Sequence, residues 1–314
     1  MIPILIDCDP GHDDALAILT AIAHQEQLEI LGITTIGGNQ TLEKVTQNAK
    51  NILAFVKSEI PLASGQGGPL IKKLEPTDEA HGKSGMDGPY FAGEDYPLVS
   101  DNAVTFLAEQ LLAASQPVMI VALGPLTNIA LLLKTYPELT TKIAGISLMG
   151  GGISHGNVTA LAEFNSYVDP EAASIVFNSG LPIIMSGLDV TEKAEILLSE
   201  INELQHKGPV SHLAYELLHF YHQSGQQFGF INSPIHDLCA VAYLLEPDMF
   251  SGTYYFVDVE TNEGLSRGQT FADKRLVTDK EKNTLVLETV CRERFANLLI
   301  QALAKLDERW ENNE

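Results

Sequence analysis

The stretch ILIDCDPGHDDALAI, residues 4–18, decides how this chain is read. Four carboxylates, Asp7, Asp9, Asp13 and Asp14, fall within eight residues, between apolar runs that belong in a core. Buried negative charge is costly unless something compensates it. The apolar run predicts a strand that Pro10-Gly11 ends, and a helix that begins at His12 or Asp13. Side chains two apart on a strand share a face, so Asp7 and Asp9 point the same way. Asp13 and Asp14 fall in the first helical turn, where the helix dipole favours anions. Adjacent helical residues diverge by about 100°, so the two cannot face one target equally. One can meet a cation while the other meets a neighbouring group. A hard divalent cation with oxygen ligands would compensate the cluster. A solvated acidic turn with capping roles is the plainer alternative.

Working outward, the same strand-then-helix rhythm repeats. IPILIDCD, ILGITTIGG, PVMIVALGP, KIAGISLMGGG and LPIIMSGLDV read as buried strands ending in Gly, Pro or Asp. Helical periodicity lies between them at Asp13–His24, Leu42–Lys57, Asn102–Ala114, Leu126–Lys134 and Pro170–Asn178. Near-continuous apolar strands alternating with helices predict an α/β fold with a mostly parallel, doubly wound, Rossmann-like sheet. Ligands of such sheets sit outside the carboxyl ends of the strands. After Phe250 the pattern turns to alternating strands, GTYYFVDVE and KNTLVLETV, which add antiparallel pairs, and then to an amphipathic helix over Arg292–Leu306. Residues 64–97 and 222–235 are Gly-rich loops of the kind that serve as flaps. With no repeat or linker, residues 1–314 are expected to form one domain.

Composition narrows the partners. Against 19 Lys and Arg stand 41 Asp and Glu, a formal charge of −22 that repels nucleic acid and anionic lipid and favours neutral small molecules or cations. Cys8, Cys239 and Cys291 are far apart and show no zinc or disulfide spacing. The start, MIPILIDCD, lacks the pattern of a secretory signal, and no apolar run approaches the ~18 residues that cross a bilayer. A reducing cytoplasm is the expected location.

Two further segments carry chemistry. In IHDLCAVAYLL, His236 and Asp237 precede an apolar helix, so Asp237 can complete a cation site or simply cap the helix, and His236 can act as a general acid. In LMGGGISHGNVTALAEFNSYVDPEAA, Asn157, Glu163 and Asn165 are short polar groups suited to hydroxyls, and GGGISHG lacks the spacing of a dinucleotide fingerprint.

Taken together, DCDPGHDDA (7–15), IGGNQT (36–41), LGPLTNIA (123–130), MGGG (149–152), AEFNSYVDPEAA (162–173) and HDLCAVA (236–242) resemble the inosine–uridine-preferring nucleoside hydrolase family. The resemblance spans residues 7 to 242 and implies hydrolysis of the N-glycosidic bond of ribonucleosides. It implies a calcium ion held by Asp9, Asp14, the Leu123 carbonyl and Asp237, with Asp9 as the base that deprotonates a metal-bound water. Leu123 replaces a polar residue of some relatives, a change that a backbone ligand tolerates. Asp13, Asn39, Asn157, Glu163 and Asn165 would hold ribose hydroxyls, Met149 would pack near the sugar, and Asp7 would brace the ligands. HGKSGMDGP, opened by His81, is similar to the pyrimidine-preferring bacterial branch, in which a second histidine lies near the base. Phe228 stands where some of those members carry a tyrosine. The implied substrates lean to uridine and cytidine, the implied acids are His236 and His81, and the implied assembly is a homo-oligomer, often a tetramer.

Two rivals share parts of the pattern. A haloacid-dehalogenase-type phosphatase also opens with a strand-ending DxD, but it wants Thr or Val where this chain has Gly11. A non-catalytic, calcium-dependent nucleoside or sugar binder would keep the pocket without turnover.

Overall fold

The structure is a computed structural model, and it describes residues 1–76, 78–91, 95–275 and 279–311. Among the described residues twelve strands run in chain order: β1 (Ile2–Cys8), β2 (Leu28–Thr35), β3 (Leu62–Ser64), β4 (Leu98–Ser100), β5 (Val118–Ala122), β6 (Ile143–Met149), β7 (Ile183–Ser186), β8 (Glu195–Ile196), β9 (Ser233–Pro234), β10 (Phe250–Val259), β11 (Thr270–Asp273) and β12 (Thr284–Val290). Ten form one sheet in the order β11-β10-β12-β7-β6-β5-β1-β2-β3-β4. From β7 to β4, and between β7 and β12, neighbours are parallel; β10 pairs antiparallel with both β12 and β11. The chain winds outward from β1 to β4, returns to lay β5 on the other side of β1, and winds outward again. The reversal between β1 and β5 is the point where a doubly wound sheet opens a crevice at its strand ends. β8 and β9 make a separate antiparallel pair.

Alternation along β1 builds the layers. Ile4, Ile6 and Cys8 face a core shared with the helices His12–Ala23, Pro209–Gln227, Leu238–Leu245 and Arg292–Glu311. Leu5 faces the opposite core, with the helices Ala103–Ala113, Thr127–Thr135 and Pro170–Phe177. The fold is therefore a single α/β domain with a mainly parallel sheet covered on both faces and antiparallel strands near the C-terminal end, as the sequence predicts.

Three boundaries differ most. The closing helix, expected to end at Leu306, runs to Glu311, where Trp310 packs against Phe55. Residues 222–227, read as loop, continue the helix Pro209–Gln227, because His222 and Ser224 are buried and held: Ser224 Oγ donates to the Glu79 carbonyl, and His222 Nδ1 lies 3.2 Å from Ser233 Oγ. These contacts outweigh the low helix propensity of Ser224 and Gly225. Within 64–97 a short helix, Asp78–His81, interrupts the loop, and residues 77 and 92–94 lie outside the described residues. Among the described residues no helix is long and apolar enough to cross a membrane.

Candidate active site

Asp9 leaves the sheet just after β1 and is buried. Its carboxylate lies between two glycines: a Cβ at Gly38 would stand 2.1 Å from Oδ2, and one at Gly124 2.5 Å from Oδ1. The backbone amide of Asn39 donates to Oδ2 at 2.6 Å, and Asn39 Nδ2 donates to the Asp9 carbonyl at 3.1 Å. Gly38-Asn39 and Gly124 follow β2 and β5, so the neighbours on both sides of β1 shape one seat for this side chain.

Asp14, in the first turn of His12–Ala23, turns back on the strand end. Its Oδ1 accepts from the Asp9 amide at 3.2 Å and its Oδ2 from the Gly11 amide at 3.0 Å. Asp237 stands at the N-cap of Leu238–Leu245 yet makes no capping bond with its side chain. One oxygen each from Asp13, Asp14 and Asp237 lie within 4.8 Å of one another, and all three residues are buried. The trio differs from the ligand set implied by the resemblance in containing Asp13 in place of Asp9.

Burial, with this concentration of charge behind it, sets the titration. Burial first, then Asp14, raises Asp9 well above the usual carboxylate range. Burial raises Asp13 to about 6, against hydrogen bonds from its own and neighbouring backbone amides. Burial and then Asp13 raise Asp14 to about 6. Asp237 is raised by burial, by Asp13 and by Asp14. None of the ion pairs among the described residues reaches these four carboxylates. An all-oxygen donor set with uncompensated charge suits a hard divalent cation, so the residues fit the ion.

Asp7 lies apart from this trio. Its Oδ1 accepts from Thr34 Oγ1 at 2.5 Å and Asn128 Nδ2 at 2.8 Å, while its buried Oδ2 has no partner among the described residues. Burial raises it to about 7.

A cleft of about 570 Å³ opens beside the cluster. It gathers Asp9, Asp13, Asn39, His81, Leu123, Met149, Asn157, Glu163, Asn165, Phe228, His236 and Asp237 along its wall, while Asp14 lies behind them. Glu163 caps the short helix Phe164–Val168: Oε1 accepts from the Asn165 amide at 2.9 Å, and Oε2 from the amides of Gly151 at 2.7 Å and Ser166 at 3.1 Å. Asn165 Nδ2 donates to the Leu123 carbonyl at 2.7 Å and to the Met149 carbonyl at 3.3 Å, so the proposed backbone ligand already has one donor. Asn157 Oδ1 accepts from the Phe164 amide at 3.0 Å, which leaves its amide nitrogen for a ligand. Phe228 is 54% exposed at the mouth.

Two imidazoles face the cleft. His236 Nδ1 lies 2.8 Å from Thr191 Oγ1, and its ring meets Phe230 edge-on. Burial pushes His236 down to about 4, as it does His81. His81 Nδ1 lies 3.0 Å from His12 Nδ1, and Tyr221 lies close and nearly parallel to both rings. His12, Thr191 and Tyr221 were missed in the sequence. Only His12 carried a signal, as an imidazole inside DPGHDDA with no assigned task.

The pattern describing inosine-uridine preferring nucleoside hydrolases matches residues 4–297. The chain is similar to the pyrimidine-specific ribonucleoside hydrolase RihA of Salmonella typhi, 45% identical over 306 residues that cover 96% of this chain and 98% of that one. Among solved structures it is similar to a purine-preferring ribonucleoside hydrolase from Gardnerella vaginalis, with TM-score 0.91, 29% identity and coverage of 98% and 99%. A plant nucleoside hydrolase matches with TM-score 0.90, 29% identity and coverage of 96% and 99%.

Proposed function

The chain belongs to the inosine-uridine preferring nucleoside hydrolase family and is a ribonucleoside N-glycosidase, and from that premise we propose that it prefers uridine and cytidine and works with calcium. The observation that carries this reading is the meeting, at one cleft, of two imidazoles with a buried carboxylate trio, of which Asp13 and Asp237 line the wall and Asp14 lies behind it. Identity to pyrimidine-specific relatives supports the base preference.

Asp14 and Asp237, with Asp9 or Asp13 and the Leu123 carbonyl, would hold the ion. When bound, calcium neutralises the cluster and acts as a Lewis acid on its oxygen ligands. Asp9, whose proton affinity burial and Asp14 raise, is suited to take the proton from the attacking water. Asp13, Asn39, Asn157, Glu163 and Asn165 offer oxygens and amide nitrogens to the ribose hydroxyls, beside Met149. Bond cleavage builds positive charge on the ribose, as in O-glycoside hydrolysis, and the carboxylate wall stabilises it. Negative charge grows on the departing base, which favours the imidazolium form of the ring that faces it. His81 and His236 are the two candidates to deliver that proton, a contribution of ~10²–10⁴ in rate. Phe228 would cover the base, and loops 64–97 and 228–235 would act as flaps. The proposal extends to a homo-oligomer, often a tetramer in the family that the chain resembles, and to the reducing cytoplasm that the cysteine usage favours.

Incubation with uridine, cytidine, inosine and adenosine, with free ribose assayed, tests the reading. Ribose is expected fastest from the pyrimidine nucleosides, with a large loss in Asp9→Ala. Faster release from the purines would overturn the preference, and release from none would overturn the function.

A further inference from the structure

We propose that His12 is a positioning residue that fixes the tautomer of His81, so that the proton given to the leaving base comes from His81 Nε2. The inference rests on the reading of His81 as a leaving-base acid. It starts from a carbonyl. His12 Nε2 lies 2.8 Å from the backbone oxygen of Asp87, which can only accept, so Nε2 carries hydrogen. Neutral His12 therefore presents a bare Nδ1. His81 Nδ1 faces it at 3.0 Å, and two bare nitrogens would repel at that distance, so the hydrogen belongs to His81 Nδ1. The ring centroids are 5.3 Å apart with planes inclined by 17°, as for imidazoles meeting edge to edge, which keeps the bond near both ring planes. The His12 amide also points at His81 Nδ1, but at 3.4 Å this contact is at the outer limit and does not reverse the assignment.

Three neighbours hold the arrangement. Phe220 lies 5.1 Å from His12, ring centroid to centroid and 4° from parallel, so the His12 ring cannot turn freely. A Cβ at Gly11 would stand 2.7 Å from His81 Nδ1, so the ring rests against bare backbone. The turn that brings the Asp87 carbonyl to His12 needs Gly82 at φ +77° and Gly85 at φ +82°. His81 Nε2 has no partner among the described residues, and His81 lines the cleft.

The proton balance follows. As C1′–N breaks, its electron pair goes to the base, and imidazolium His81 gives the base its Nε2 proton. The ring that remains is the neutral Nδ1–H form that His12 already accepts, so no rotation is needed. A proton from solvent reaches Nε2 again as the next base departs, whose growing negative charge favours the imidazolium. In the other tautomer the retained proton would sit on Nε2, facing the base.

Nitrogen NMR of protein labelled with ¹⁵N-histidine tests this without a variant: neutral His81 should show a protonated Nδ1 and a bare Nε2. The converse pattern would overturn the proposal. Kinetics give a second test. His12→Phe should lose about 10²-fold in kcat on uridine, the lower end of a general acid's contribution. The loss should be far smaller on p-nitrophenyl riboside, whose leaving group needs no proton. His12→Asn, which returns an acceptor oxygen near the Nδ1 position, should recover much of the uridine rate. Equal losses on both substrates, or no loss on uridine, would overturn it. If the unaltered protein releases no ribose from uridine, the function itself fails instead.

Discussion

The acidic cluster makes stability depend on pH and calcium together. Unfolded aspartates titrate near 3.9. Burial holds Asp13 and Asp14 at about 6 in the folded chain. Between those values the folded chain binds more protons than the unfolded one, so its stability falls as pH rises from about 4 to above 6. Each aspartate is raised by roughly 2 units at ~1.4 kcal/mol per unit, so each contributes about 3 kcal/mol, and the pair roughly 3–6 kcal/mol. About two thirds of this falls between pH 4.5 and 7.5, roughly 2–4 kcal/mol, so at roughly 2 °C per kcal/mol for a chain of this size chelator-treated protein should lose about 4–8 °C in melting temperature over that range. Calcium supplies the missing positive charge, so its stabilising effect should be small at pH 4.5 and grow by that same amount at pH 7.5. Differential scanning fluorimetry with calcium or chelator at each pH measures this. Asp7 also titrates high, but it lies outside the Asp13, Asp14 and Asp237 trio and cancels in the calcium-minus-chelator difference. A calcium gain that is equal at both pH values, or absent, would refute the assignment of these carboxylates to an ion.

Three substitutions probe the supporting shell. Gly11→Ala keeps an allowed backbone, since Gly11 sits at φ −100° and ψ −159°, but its methyl would displace His81; we expect at least a tenfold fall in uridine kcat, with a melting temperature lowered by the roughly 1–3 kcal/mol of overpacking. Thr191→Val removes the hydroxyl beside His236 Nδ1 and should lower kcat by about five- to tenfold, the equivalent of one hydrogen bond of ~1 kcal/mol, with KM little changed. Glu163→Gln sets an amide NH₂ against backbone donors that now reach both carboxylate oxygens, and equilibrium unfolding should show a loss of about 1–3 kcal/mol.

The opening fifteen residues carried most of the fold because one apolar run, a Pro-Gly break and a helix start fix a strand end, and ligands gather at strand ends. Asp237 was legible for a related reason: a carboxylate set before the wholly apolar LCAVA run has little cause to be there except to cap or to bind, and the structure shows no cap. What could not be read was lateral. Asp13 joins the trio because helix Leu238–Leu245 docks against His12–Ala23 and brings Asp237 to it, and no local pattern encodes that contact. Tyr221 and the helical residues 222–227 were hidden for the opposite reason. HQSGQQ has a turn-like composition, and contacts with Glu79 and Ser233, distant in sequence, keep it helical. His12 was visible as a residue but not as a partner, since His81 lies sixty-nine positions away.

The most direct test of the account is a calcium back-titration. The protein is stripped with chelator until elemental analysis finds no metal, and uridine hydrolysis is followed at each calcium addition. The account predicts almost no ribose from the stripped protein, with activity rising in step with calcium to saturation, and no such recovery in Asp237→Ala. Metal-free protein that hydrolyses uridine at the full rate would contradict it.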